Sequence, residues 1–174
     1  MIRLLFLTHR YLGIAMGLVI TLWCLSGFVM MYVQYPDLND QEQLTGLEIL
    51  NFSTCCQIPN DFSNLEFDRF RIEMLNERPV LRLLNGPYQY VIDLLNGEYL
   101  PGFYDDDARS IANIVAKEFE LPDQPELLGL IEQDQWTVFP AYQAHRPLFH
   151  FSINDLLGTE FYISSTTGEV VQMT

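Results

Sequence analysis

The chain has 174 residues, with 9 Lys+Arg against 23 Asp+Glu and a formal charge of −14. So acidic a balance excludes a conventional nucleic-acid binder, whose footprint is basic. An apolar fraction of 49 % with 13 % aromatics excludes intrinsic disorder and is enough to build at least one core.

Apolar residues are concentrated at the N-terminal end. Tyr11 to Val33 is a run of 23 residues without a charge, and at a helical rise of about 1.5 Å each it reaches about 34 Å, enough to cross a bilayer's hydrocarbon core. A cleaved signal peptide has a shorter apolar stretch and a small-x-small site after it. Met30, Met31, Tyr32, Val33 and Gln34 follow here instead, so the segment reads as an uncleaved transmembrane helix. Arg3 and Arg10 precede it and acidic residues follow, which predicts a cytoplasmic N-terminus. Tyr11 and the Tyr32/Tyr35 pair fall near its two ends, where amphipathic rings favour the head-group layer. The remainder, from Gln34 onward, carries 7 basic against 23 acidic residues, a net of −16.

Residues 35–66 read as an irregular spacer punctuated by Pro36, Asn39, Gly46, Pro59 and Asn60, with room for one short helix between Gln41 and Leu50. From Phe67 to Leu75 apolar and polar side chains alternate, the mark of a half-buried strand. Strands Val80–Leu84 and Tyr88–Asp93 and a short one at Glu98–Leu100 follow. Asn85-Gly86 and Asn96-Gly97 supply the positive φ of tight turns, so residues 67–104 form an antiparallel meander. Asp105, Asp106 and Asp107 then open a helix with apolar residues at 108, 111, 112, 115 and 119, closed by Leu121-Pro122. Strands are predicted at Leu127–Glu132, Gln135–Phe139, Pro147–Ile153, Thr159–Ser164 and Glu169–Met173, making 105–174 a helix plus a second meander.

An internal repeat supports that division. Arg78-Pro79 leads through Tyr90-Val91-Ile92 to Asn96-Gly97-Glu98, and Arg146-Pro147 leads through Phe161-Tyr162-Ile163 to Thr167-Gly168-Glu169, with Pro-to-Gly distances of 18 and 21. The repeat describes either tandem α+β domains or two halves of one.

The opening Thr8-His9-Arg10-Tyr11-Leu12-Gly13-Ile14-Ala15, with Leu22-Trp23-Cys24-Leu25-Ser26-Gly27-Phe28, resembles bacterial inner-membrane proteins of the PepSY-associated transmembrane type. So do Glu132-Gln133-Asp134-Gln135-Trp136-Thr137, Arg146-Pro147-Leu148, Gly158-Thr159-Glu160 and Thr167-Gly168-Glu169-Val170-Val171. The resemblance implies two PepSY-like helix/antiparallel-meander units of α+β class on the periplasmic side, behind a single anchor occupying residues 1–34. Larger relatives continue beyond such a segment into further membrane helices, and some are haem-containing reductases of ferric siderophores in iron uptake. A chain ending at Thr174 is then either a short member or the N-terminal part of something longer.

His9 begins a stripe at helical spacing through Gly13, Gly17, Thr21 and Cys24 to Phe28. Two readings stand: a face that packs a partner membrane helix through Gly13-xxx-Gly17, or, as the resemblance implies, haem b with His9 as an axial ligand. The helix-packing reading is favoured. Cys55 and Cys56 are adjacent and lack the C-x-x-C spacing; a vicinal disulfide or a bond to another chain is open to them, and two loop thiols or a mixed state are expected. His145 and His150 are not spaced as a ligand pair, so one is expected in solvent and one in the sheet. No nucleophile elbow, phosphate loop or His-Glu-x-x-His motif occurs in the sequence. The expectation is a membrane-tethered binding or regulatory module without catalysis of its own, with lipid, a membrane helix and an exported protein or peptide as partners and no nucleic acid. The alternative is the N-terminal part or subunit of the haem reductase.

Overall fold

The computed structural model describes residues 2–32, 38, 40–53, 55–86, 88–122 and 124–174. The expected end of the span at Val33 and the start of the spacer at 35–37 lie outside them. The chain divides into two units, Met1–Tyr35 and Pro36–Thr174.

The first unit is one helix, α1 (Ile2–Tyr32), of 31 residues. It continues the expected span N-terminally through Arg10, His9 and Arg3, because no Pro, Asn or Gly pair interrupts it there. Its length and hydropathy suffice to cross a membrane. Two hydroxyls in its apolar run are satisfied locally: Thr21 Oγ1 donates to the Gly17 carbonyl at 2.8 Å and Ser26 Oγ to that of Trp23 at 2.8 Å. That removes the cost of a bare hydroxyl in hydrocarbon.

The second unit is of mixed helix and antiparallel-sheet content. Strands β1 (Arg69–Leu75), β2 (Arg78–Asn85), β3 (Tyr88–Asp93) and β4 (Glu98–Leu100) pair in sequence order. After a helix labelled α3 (Asp105–Glu118), strands β5 (Glu126–Ile131), β6 (Leu148–Ser152), β7 (Glu160–Ser164) and β8 (Val170–Met173) form a second meander. A six-residue helix, α2 (Asp40–Thr45), precedes the first sheet. It is shorter than the stretch expected to 50, stopping at Gly46, which lies so close to the Phe119 ring that an added Cβ would meet Cε2 at 2.8 Å.

The repeat is visible in the turns. Gly97 N–H donates to the Asp93 carbonyl at 2.8 Å and Gly168 N–H to that of Ser164 at 2.9 Å, the same four-residue closure, with φ of 73° and 68°. The two meanders share one core rather than standing apart. Leu75, Val80 and Val91 of the first sheet, Ala108, Ile111, Ala112 and Val115 of α3, and Phe149, Phe151, Phe161 and Ile163 of the second are buried together. The helical period of α3 sets the face it presents, and the Asp107 carboxylate accepts the Tyr104 N–H at 3.1 Å at its start, as an acid in the first turn should.

Residues 51–66 carry little regular structure but do not act as a free spacer. Cys55, Phe62 and Leu65 cover Leu81, Leu83, Ile92 and Leu94 on the other face of the first sheet, and Gln57 N–H donates to the Leu94 carbonyl at 2.8 Å. Cys55 and Cys56, expected as loop thiols or a mixed state, are instead joined as a vicinal disulfide in this segment.

One further expectation needs correction. Gln135–Phe139 is not a strand: the Asp134 carboxylate accepts the N–H groups of Trp136 and Thr137 at 2.9 and 3.0 Å and the Thr137 hydroxyl at 2.9 Å, and this local capture outcompetes a ladder. The β1–β2 connection is a two-residue turn of Asn76 and Glu77 at φ 54° and 63°, a mirror-image turn without the usual glycine.

Gly168 is the least replaceable turn residue. Its φ is positive and an added Cβ would meet the Phe103 ring at 2.8 Å. Gly168→Ala is expected to lower the stability of the second unit by about 1–3 kcal/mol, read as a lower urea midpoint at unchanged m-value.

Candidate functional site

The turn after β7 sets Thr167, Gly168 and Glu169 over the first sheet. Arg82, at the centre of β2, is 0 % exposed and donates from Nη1 to the Thr167 carbonyl at 2.6 Å. Its Nε is hydrogen-bonded to the Glu73 carboxylate on β1. Arg71, two residues along β1, pairs with Glu73 at 2.9 Å and with Glu169 at 2.8 Å. His145 Nδ1 lies 3.3 Å from Thr167 Oγ1. Burying two carboxylates and two guanidiniums costs desolvation, which their mutual pairing offsets.

The charges act on one another as their signs demand. Burial pushes the Glu169 carboxyl up, but Arg82 and Arg71 together outweigh it and hold it below the usual carboxylate range. For His145 burial is the largest influence and lowers its pKa, with Arg82 and Arg71 adding to it against Glu169. Both groups therefore bind protons more weakly folded than unfolded. Their contribution to stability is complete above the unfolded values and is lost on acidification. A first loss is expected as pH falls below about 6.5 (His145) and a second below about 4.5 (Glu169). Thermal midpoints against pH check this: His145→Gln removes the first decline and leaves the second.

This cluster forms one end of a cleft of about 290 Å³. Leu38, Leu44 and Leu47, from the segment carrying α2, face Ile111, Ile114 and Phe119 of α3 and the turn after it across that space. Arg71, Glu73, Arg82 and Glu169 line it as well. Arg82 Nη2 is buried and has no hydrogen-bond partner among the described residues. A buried unpaired donor normally costs about 1–3 kcal/mol. The mostly apolar cleft beside this cluster is the part of the second unit best suited to bind something.

The residues singled out in the sequence lie elsewhere. Gly13, Gly17, Thr21 and Cys24 are on α1, exposed, as is His9. At Gly13 and Gly17 an added Cβ meets nothing within 4 Å, so that face is smooth and open. As a haem site these residues offer one ligand and a flat approach; among the described residues α1 has no second ligand and no enclosing wall, so no chemistry is derived through that group. Neither His145 nor His150 is left in solvent. His145 ends the 3-10 turn Pro140–His145, half-buried, and His150 stacks on Tyr162 at 4.6 Å with Nε2 3.1 Å from Glu160. Tyr162 donates to Asp134 at 2.6 Å, and burial followed by that bond raises its pKa strongly. Among the described residues no group of three or more His, Cys, Asp or Glu is placed to hold a metal ion.

Sequence reasoning missed the cleft because its polar residues come from β1, β2 and the turn after β7. Alternation set Phe70, Ile72 and Met74 against Arg69, Arg71 and Glu73, yet the structure exposes Phe70 and buries Glu73; the one available signal was Arg82 inside the apolar strand Val80–Leu84, where a charge is rarely placed without a partner.

The class this defines is a long apolar helix followed by an α+β unit of two antiparallel meanders sharing one core. Comparison with protein-family models, curated proteins and solved structures finds no match to this chain.

Proposed function

We propose that this chain is a membrane-tethered binding or regulatory module without catalysis of its own, in which α1 is the anchor and the cleft of the second unit takes the ligand. The observation that carries the reading is the cleft itself, lined mostly by apolar side chains together with the charged Arg71, Glu73 and Glu169. Such a combination of apolar lining and a few fixed polar groups is what binding pockets share. On this reading, and on the resemblance to PepSY-associated membrane proteins, the module sits in a bacterial inner membrane with its N-terminus cytoplasmic and its second unit periplasmic; what supports this is the long apolar helix and the charge asymmetry around it. The open Gly13/Gly17 face of α1 suits a partner membrane helix.

A solvatochromic apolar dye titrated into the full chain in phosphatidylcholine nanodiscs tests the cleft, with empty nanodiscs as the blank. Ile114→Arg, which puts a charge on a half-buried lining position, is expected to weaken the saturable dye signal at least about tenfold, the effect of losing roughly 1.4 kcal/mol of apolar contact. An unchanged titration in that variant would remove the cleft from the account.

A further inference from the structure

We propose that the occupant of the cleft is an extended polypeptide segment, apolar with basic flanks, that adds along the free edge of β1 and places one or two side chains in the cleft. The proposal rests on the binding reading above and names its ligand.

The first observation is the state of the edge. Among the described residues β1 pairs only with β2, and its other side carries no strand. The two-residue turn at Asn76-Glu77 makes Leu75 and Arg78 the bond-exchanging pair that closes the hairpin. Counting back, Glu73 and Arg71 direct their backbone groups to β2, and Ile72 and Phe70 direct theirs outward. The neighbouring pair of strands has the same phase: Leu94 N–H donates to the Pro79 carbonyl at 2.9 Å, so the odd-numbered residues of β2 face β3 and the even-numbered ones face β1. Phe70 and Ile72 are 64 % and 36 % exposed, which leaves this part of the edge accessible. An open edge with unused N–H and C=O groups is a template for another strand.

The second observation is that Arg71, on the same stretch of β1, also lines the cleft, so a strand laid on the edge passes its mouth. The space of about 290 Å³ is of side-chain rather than domain scale. The third is Arg71, whose side chain lines the cleft and is 41 % exposed, so that its guanidinium can donate to an incoming hydrogen-bond acceptor. The acceptor must be neutral, because Glu73 and Glu169 already stand beside the guanidiniums and a second anion there would be repelled. A peptide carbonyl meets that requirement. One ligand class thus supplies all three needs: backbone amides for the edge, apolar side chains for the cleft and a carbonyl for Arg71. A fatty acid supplies only the apolar part and carries the wrong charge. The excess of acidic residues, 23 against 7 basic from Gln34 onward, favours basic flanks.

The test is selection from a displayed library of random nonapeptides against the full chain in phosphatidylcholine nanodiscs, with Ile114→Arg as the counter-target. The expected outcome is enrichment of alternating apolar residues flanked by Lys or Arg. Synthetic copies should bind with dissociation constants in the micromolar range or below. Ile72→Pro removes the outward N–H and leaves the bonds to β2 intact. It should weaken binding at least about tenfold, the value of one hydrogen bond, whereas Ile72→Ala binds as the parent does. N-methylation of alternate amides in the peptide should weaken binding by a similar factor, without any change to the protein. The proposal is overturned if no sequence is enriched over Ile114→Arg, or if the enriched peptides bind equally well after N-methylation at either set of amides. Dye binding that persists without peptide enrichment would leave the binding cleft standing and remove its peptide ligand; loss of both would remove both.

Discussion

Replacing Arg82 by Met is expected to destabilise the second unit by about 3–5 kcal/mol, the cost of stripping one partner from a buried ion pair. Arg82 is fully buried and its fork holds Glu73, itself 5 % exposed, and the Thr167 carbonyl. Met approximates the volume, so the loss is electrostatic: Glu73 is left with Arg71 alone and the Thr167 carbonyl without this donor. Against a typical domain stability of about 5–15 kcal/mol, that is a large fraction of the total. The double replacement Arg82→Met with Glu73→Leu should recover much of the loss, since removing both buried charges also removes their desolvation cost. Urea unfolding of the four members of the cycle checks this; equal loss in the single and double variants would show that packing rather than pairing fixes Arg82.

Leu18→Arg with Leu22→Arg should abolish membrane insertion. Ten residues of the Tyr11–Val33 run are Leu, Ile, Val or Phe, each favouring insertion by about 0.3–0.6 kcal/mol near the helix centre. Exchanging Leu for Arg there costs about 3–4 kcal/mol per site, so two exchanges cost more than those ten residues supply. The chain is expected in the carbonate-soluble fraction, whereas Leu18→Val with Leu22→Val stays with the membrane pellet. Release of the valine variant would show that α1 is not held by the bilayer's hydrocarbon.

The parts of this fold legible in the sequence are those fixed by local signals. Strands Tyr88–Asp93 and Glu98–Leu100 lie where alternation and the glycine turns put them, and α3 starts at the acid run that suits its dipole. Local capture by a single side chain was not legible: Asp134 binds three donors within three residues of itself and turns an apparent strand into a loop. The Asn76-Glu77 turn escaped notice because Glu at positive φ is unusual. The site was hidden for a different reason. Its polar end joins Arg71 and Glu169, 98 residues apart in the chain, and only the packing of the two meanders brings them together. The apolar stripe of α1, by contrast, is evident in the sequence, and its exposed face carries no information about what meets it.

The most direct test of the central claim, that the cleft is where this chain binds its partner, is photo-crosslinking from within it in the cell of origin. A photoreactive phenylalanine at Ile114 reports from the cleft, and one at Leu156, 106 % exposed on the β6–β7 loop, reports from free surface. A discrete adduct from position 114, absent from 156 and lost when the Ile72→Pro change is combined with it, is the predicted result. Adducts from 156 alone, or none from 114 in cells where the chain is at the membrane, would contradict it.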